Sequence, residues 1–169
     1  MSELKIPKQS TRIYLDFFNR HAEKVAKDLL GRVLVRETGK NSIYVRLEEI
    51  AAYEGEAKSM TKGALEQPGT IGVSTKYGKN LVDISTLGIC IPSCVTLIAG
   101  TLFDRKGLEK HIDGPGNLAK ALDIDRTYDG VPLNFVKIWI GGYPVEPEKI
   151  LKRKLSKVPE NCEGYFYFK

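Results

Sequence analysis

Residues 42–52, SIYVRLEEIAA, restrict the fold more than any other part of this chain. Strict alternation puts Ile43, Val45, Leu47, Glu49 and Ala51 on one face of a strand, and Tyr44, Arg46, Glu48 and Ile50 on the other. A strand this long with one apolar stripe needs a sheet covered on one side. Glu49 falls in line with the apolar stripe, and a buried carboxylate there needs a partner or a chemical task.

Other strands follow the same period at residues 32–37, 70–77, 81–87, 94–103 and 136–140, with an aromatic strand at 165–168. Gly78-Lys79-Asn80 is placed to close a hairpin between the second and third of these. Helical spacing is confined to a few segments. Ala22, Val25, Ala26, Leu29 and Leu30 give residues 20–30 one apolar face, with Asn19 as its cap and Gly31 as its stop. Leu118, Ala121 and Leu122 do the same for residues 117–124, after a Gly114-Pro115-Gly116 turn. Glu146 and Pro147 are placed to open a short basic helix over residues 148–155. Residues 53–69 have no sustained period and read as a long loop, a frequent carrier of function. Strands outnumber helices and do not alternate regularly with them. The expected class is α+β, a single domain over residues 1–169 with a curved, mostly antiparallel sheet and a few flanking helices.

Composition narrows the function. No apolar run approaches the roughly 20 residues that span a bilayer, so no membrane role is expected. The N-terminus lacks the apolar core of a signal peptide. The three cysteines, Cys90, Cys94 and Cys162, are too few and too odd in number for a disulfide framework, which points to a reducing cytoplasm. With only His21 and His111 beside them, no zinc spacing arises, and no metal or cofactor is expected. Lysine and arginine exceed aspartate and glutamate by 26 to 21, a net charge of +5 that permits a polyanionic partner without requiring one. Walker, dinucleotide and nucleophile-elbow motifs are absent.

Two features have nucleic-acid chemistry. Gly114, Gly116 and Asn117 stand at the start of the second helix, where free N–H groups and the dipole favour phosphate, and Lys120 is expected in its first turn. Tyr53 and Tyr77 stand at strand ends beside glycine-rich or basic loops, where aromatic rings can stack on bases.

Several segments, in order, resemble the alkyladenine (3-methyladenine) DNA glycosylase family of the mammalian type. They are Phe17-Phe18-Asn19-Arg20 with Val25 to Arg36, then Glu49-Ile50-Ala51-Ala52-Tyr53-Glu54-Gly55, then Pro68-Gly69-Thr70 through Tyr77-Gly78. Asp83-Ile84-Ser85, Cys94-Val95 and Gly114 to Leu122 follow. The similarity covers roughly residues 16 to 133. It implies a metal-free, cofactor-free monomer that flips a damaged purine out of duplex DNA and holds it between aromatic side chains. A tyrosine wedge, Tyr77 here, would fill the gap, and a glutamate would activate water. DNA-backbone contacts would come from Gly114, Gly116, Asn117, Lys120 and Lys62. A cytoplasmic location follows, on the nucleoid if the source is prokaryotic.

Departures from the family pattern are specific. The catalytic glutamate falls on Ala51, a pocket tyrosine on Ser74, the pocket asparagine near Asp83 and a strand arginine on Ile98. The pocket histidine falls on Met60 or Lys62. The base pocket would then comprise Ala51, Tyr53, Ser74 and Ile98. Asp83 and Glu49 are the carboxylates that could replace the lost base. Three readings remain: a rewired glycosylase, a catalytically silent binder of damaged nucleic acid, and a hydrolase acting on RNA or free nucleosides.

Overall fold

The structure, a computed structural model, describes residues 4–55, 67–87, 92–133 and 137–169. Its centre is an antiparallel pair of two long strands, β2 (Ser42–Glu54) and β5 (Ser93–Phe103). Each of them exchanges its outer neighbour halfway along. The outer edge of β2 pairs first with β1 (Val33–Glu37) and then with β9 (Cys162–Tyr167). That of β5 pairs with β4 (Lys79–Ser85) over residues 94–96 and with β6 (Glu109–Asp113) over residues 99–103. Outside these lie β3 (Ile71–Lys76) on β4, β7 (Ile138–Gly141) on β1 and β8 (Leu151–Lys152) on β9. All pairings among the described residues are antiparallel, as expected for the α+β class.

The exchange of neighbours coincides with two compensating bulges. Leu47 opposes Gly100, Glu49 opposes Ala99 and Ile50 opposes Leu97, so Glu48 is the extra residue on β2 and Ile98 the extra one on β5. A one-residue insertion reverses every later side chain. Val45 and Leu47 before the bulge, and Ile50 and Ala52 after it, therefore point into the same core. Glu49 and Ala51 are turned away from the apolar stripe assigned to them by simple alternation. They share the opposite face with Tyr44 and Arg46.

Helix α1 (Ala22–Leu29) buries Ala22, Val25, Ala26 and Leu29 against β2, β5 and β9. Its start is capped across the fold rather than by Asn19. Glu54 Oε1 accepts from Ala22 N at 2.8 Å and contacts His21 Nδ1 at 2.9 Å. Removing a helix cap costs about 1 kcal/mol. Glu54→Ala should therefore lower the thermal midpoint by about 2–4 °C, and a calorimetric scan checks it.

Helix α2 (Pro115–Ala121) packs Leu118 and Ala119 on the same core, against β4 and β5. It begins two residues earlier than the sequence pattern indicates. Gly114 is the N-cap, with φ at 96°, and Lys120 lies in the last turn, at the negative end of the dipole. The expected basic helix over residues 148–155 is instead one 3-10 turn (Pro147–Lys149) followed by β8. There the backbone N–H of Arg153 donates to Tyr165 O at 2.8 Å, and sheet pairing outcompetes a helix carrying four clustered cations. The hairpin turn is Tyr77-Gly78, with φ of 52° and 74°, leaving Lys79 and Asn80 inside β4. Two successive positive φ values are the two-residue turn that matches strand twist.

Candidate functional site

Beside β3, β4 and β9, and bounded on one side by the start of α2, a pocket of about 990 Å³ opens. Its floor follows from strand register. Gly72, Asp83, Thr96, Ala51 and Tyr165 are successive cross-strand partners on β3, β4, β5, β2 and β9. Asp83, Thr96 and Tyr165 line the cavity, with Ile98, Cys94 and Tyr53 from neighbouring rows. Ala51, fully buried between Thr96 and Tyr165, does not reach it.

Asp83 is the buried carboxyl of this floor. Burial raises its pKa to about 7; the Thr96 hydroxyl, donating to Oδ1 at 2.5 Å, pulls the value down, and nearby Asp129 pushes it up. At neutral pH the group is divided between acid and carboxylate, the condition suited to moving a proton. Burial also drives the Tyr53 phenol upward, with its hydrogen bond to Tyr165 next in effect, so the ring presents a neutral hydroxyl. The Cys94 thiol is pushed well up by burial and is no nucleophile.

Glu49, the other candidate carboxylate, is differently engaged. Arg153 takes both its oxygens, Nε to Oε2 at 2.8 Å and Nη2 to Oε1 at 2.7 Å. Glu49 does not line the pocket. Among the described residues, no three His, Cys, Asp or Glu side chains converge on a point a metal could occupy.

The rim is basic and aromatic. Tyr77, 94% exposed, stands at the hairpin tip with Lys76 Nζ 5.7 Å from its ring centre. Its left-handed backbone is uncommon for an aromatic residue, and such strain concentrates at functional sites. Lys79 lies over the first turn of α2. A Cβ on Gly116 would come within 2.6 Å of Lys79 Cδ, and Lys79 Nζ sits 3.4 Å from Asn117 Oδ1. Ser74, Gly114, Gly116 and Asn117 complete that side. Lys120 is exposed but not on the rim, and Lys62, like Met60 and Cys90, lies outside the described residues.

The structure thus brings together Tyr53, Ser74, Tyr77, Asp83, Ile98 and the start of α2, and leaves out Glu49, Ala51 and Lys120. Sequence reasoning missed Thr96, Lys76, Lys79 and Tyr165. No local signal marks the first three. Tyr165 stood in a recognisable aromatic strand, but its partner strand was not legible.

The cavity thus has aromatic and apolar walls in Tyr53, Tyr165 and Ile98, polar Asp83 and Thr96 on its floor, and Lys76 and Lys79 at its mouth. Among the described residues no helix is long and apolar enough to cross a membrane.

The family profile described as methylpurine-DNA glycosylase matches residues 16–159. A protein of Streptomyces avermitilis named "Putative 3-methyladenine DNA glycosylase" is 32% identical over 83% of this chain and 78% of its own length. Proteins of the same name from an Anaeromyxobacter species and from Methanocella arvoryzae are 33% and 32% identical. They cover 85% and 68% of this chain, and 79% and 68% of their own lengths.

Proposed function

Because the chain belongs to the methylpurine-DNA glycosylase family, a family of DNA repair acting on DNA, we propose that it hydrolyses the N-glycosidic bond of a damaged purine flipped out of duplex DNA, with Asp83 activating the water. The observation that carries this reading is Asp83 itself, a buried carboxyl in the pocket floor whose pKa of about 7 leaves it able to accept a proton at neutral pH.

In this mechanism the flipped base enters the slot against Tyr53 and Ile98. Ionised Asp83 accepts a proton from water while the water oxygen bonds to the anomeric carbon. The bond from that carbon to the purine nitrogen breaks, and its electron pair leaves with the base. A lesion already cationic from ring alkylation departs neutral and needs no acid. General-base action of this kind contributes about 10²–10⁴-fold. Since the ionised form does the work, the single-turnover rate should rise with pH and level off above about 7. A rate independent of pH between 5 and 9 would remove Asp83 from this role.

Tyr77 fits the wedge that fills the vacated stack, with Lys76 and Lys79 set for the flanking phosphates. Tyr77→Ala should weaken binding to duplexes holding an abasic analogue about tenfold, and binding to undamaged duplex by much less. Equal losses on both in a titration would make Tyr77 a structural residue.

A second reading has one specific observation behind it. The resemblance puts the family's catalytic carboxylate at residue 51, which is a buried alanine. A protein that recognises damaged sites without cleaving them would bind abasic-analogue DNA tightly and release no base.

A further inference from the structure

Tyr165 has no assigned role, and it lies beyond residue 159, where the family match ends. Yet β9 brings it into the pocket, directly opposite Ala51, with its hydroxyl 3.1 Å from that of Tyr53. Ala51 does not reach the cavity, and the neighbouring tyrosine puts a polar group there. Two phenol hydroxyls carry two protons, and one hydrogen bond between them uses one. Either hydroxyl can be the donor of that bond, and the Cys162 sulfur is a further acceptor beside Tyr53. In the arrangement with Tyr53 donating to Tyr165, the Tyr165 hydroxyl keeps its own proton for an acceptor in the cavity.

A second set of contacts fixes where Tyr165 stands. Arg153 holds Glu49 through two hydrogen bonds, its guanidinium lies 4.4 Å from the Tyr167 ring centre, and its backbone N–H donates to the carbonyl of Tyr165. Glu49 is on β2, while Arg153 follows β8, the strand paired to β9. The pair therefore ties the strand bearing Tyr165 to the centre of the sheet. A bidentate guanidinium–carboxylate pair of this kind fixes orientation as well as distance.

We propose that Tyr165 is a base-contacting residue, donating its hydroxyl to a ring nitrogen or carbonyl oxygen on the edge of the flipped purine, and that Glu49 and Arg153 are positioning residues that hold it there. This rests on the reading of the pocket as a base site and adds to it an edge requirement: the occupant must present an acceptor to β9 while Asp83 faces it from β4.

The test is equilibrium binding of two duplexes by fluorescence anisotropy. One carries hypoxanthine on a 2′-fluoro sugar that resists cleavage; the other carries a tetrahydrofuran abasic analogue. Tyr165→Phe keeps the ring and should weaken binding to the hypoxanthine duplex about five- to tenfold, the effect of one hydrogen bond, with abasic binding within twofold of wild type. Tyr165→Ala should lose more, again only with the base present. Glu49→Gln should shift the same base-to-abasic ratio, and combined with Tyr165→Phe it should add little. General destabilisation would lower both affinities together. Wild-type binding with an unchanged ratio in both Tyr165 variants overturns this inference and leaves the glycosylase reading standing. Absence of wild-type binding to either duplex overturns both.

Discussion

Asp83→Asn should abolish most base release, by about 10²–10⁴-fold in single-turnover experiments, and at the same time make the protein more stable above pH 7. The two effects have one cause. An ordinary aspartate titrates at 3.8, and burial holds this one at about 7. Below 3.8 the group is protonated whether the chain is folded or not, and no stability is lost. Between those values the unfolded chain releases the proton while the folded chain retains it, so stability falls as pH rises. Above about 7 the full penalty applies, roughly 4 kcal/mol for a gap of that size. Asparagine carries no charge to bury, and its Oδ1 can still accept from Thr96. Thermal midpoints of the two proteins should therefore coincide near pH 4, diverge up to pH 7 in favour of the variant, and stay apart beyond it. A variant that is inactive and less stable at pH 8 would mean that Asp83 is a structural acceptor only.

Gly100→Ala should be the most damaging small change in the sheet. Gly100 faces the core opposite Leu47, one step before the bulges. An added Cβ would come 2.7 Å from Val45 Cγ1 and closer still to the Arg46 carbonyl oxygen. That oxygen belongs to the backbone of the central strand pair, which cannot move without disturbing the register that aligns Asp83, Thr96 and Tyr165. A loss of about 3 kcal/mol is expected, or roughly 6–12 °C in thermal midpoint. A midpoint within 1 °C of wild type would show that the β2–β5 pair adjusts freely.

Much of this architecture was legible in the sequence, and the parts that were not share a physical reason. Helix α1 was readable because Val25, Ala26 and Leu29 repeat at the helical period within one short segment. The long strand β2 was readable from its alternation. Its bulge was not, because Glu48 and Ile98 are ordinary residues whose extra count appears only when the two strands are laid side by side. The error then spread to the site. Period-two counting put Glu49 on the core face, whereas it lies on the opposite face and is held by Arg153, 104 residues away. Strand β6 was missed because its residues are short in number and mostly exposed and polar. The pocket residues Ser74, Asp83 and Ile98 came from the resemblance, Tyr53 also from its place at a strand end, and all four meet around one cavity. Thr96 and Tyr165 join them through cross-strand partners, which no single segment encodes.

Lys120 and Tyr77 illustrate the same limit at shorter range. A shift of two residues in the start of α2 moves Lys120 from the positive end of the helix to the negative end. A hairpin turn one residue earlier than expected places Tyr77 at the exposed tip rather than at the end of a strand. In the first case a phosphate contact loses its electrostatic rationale; in the second a wedge gains its geometry.

The most direct test is single-turnover base release by the wild-type protein in excess over duplexes carrying 3-methyladenine, 1,N⁶-ethenoadenine, hypoxanthine or uracil, with abasic-analogue binding measured alongside. Release of a purine lesion, lost in Asp83→Asn, is the predicted result. Tight binding of the abasic analogue with no base released from any duplex would contradict it and make this chain a damage-binding member of its family.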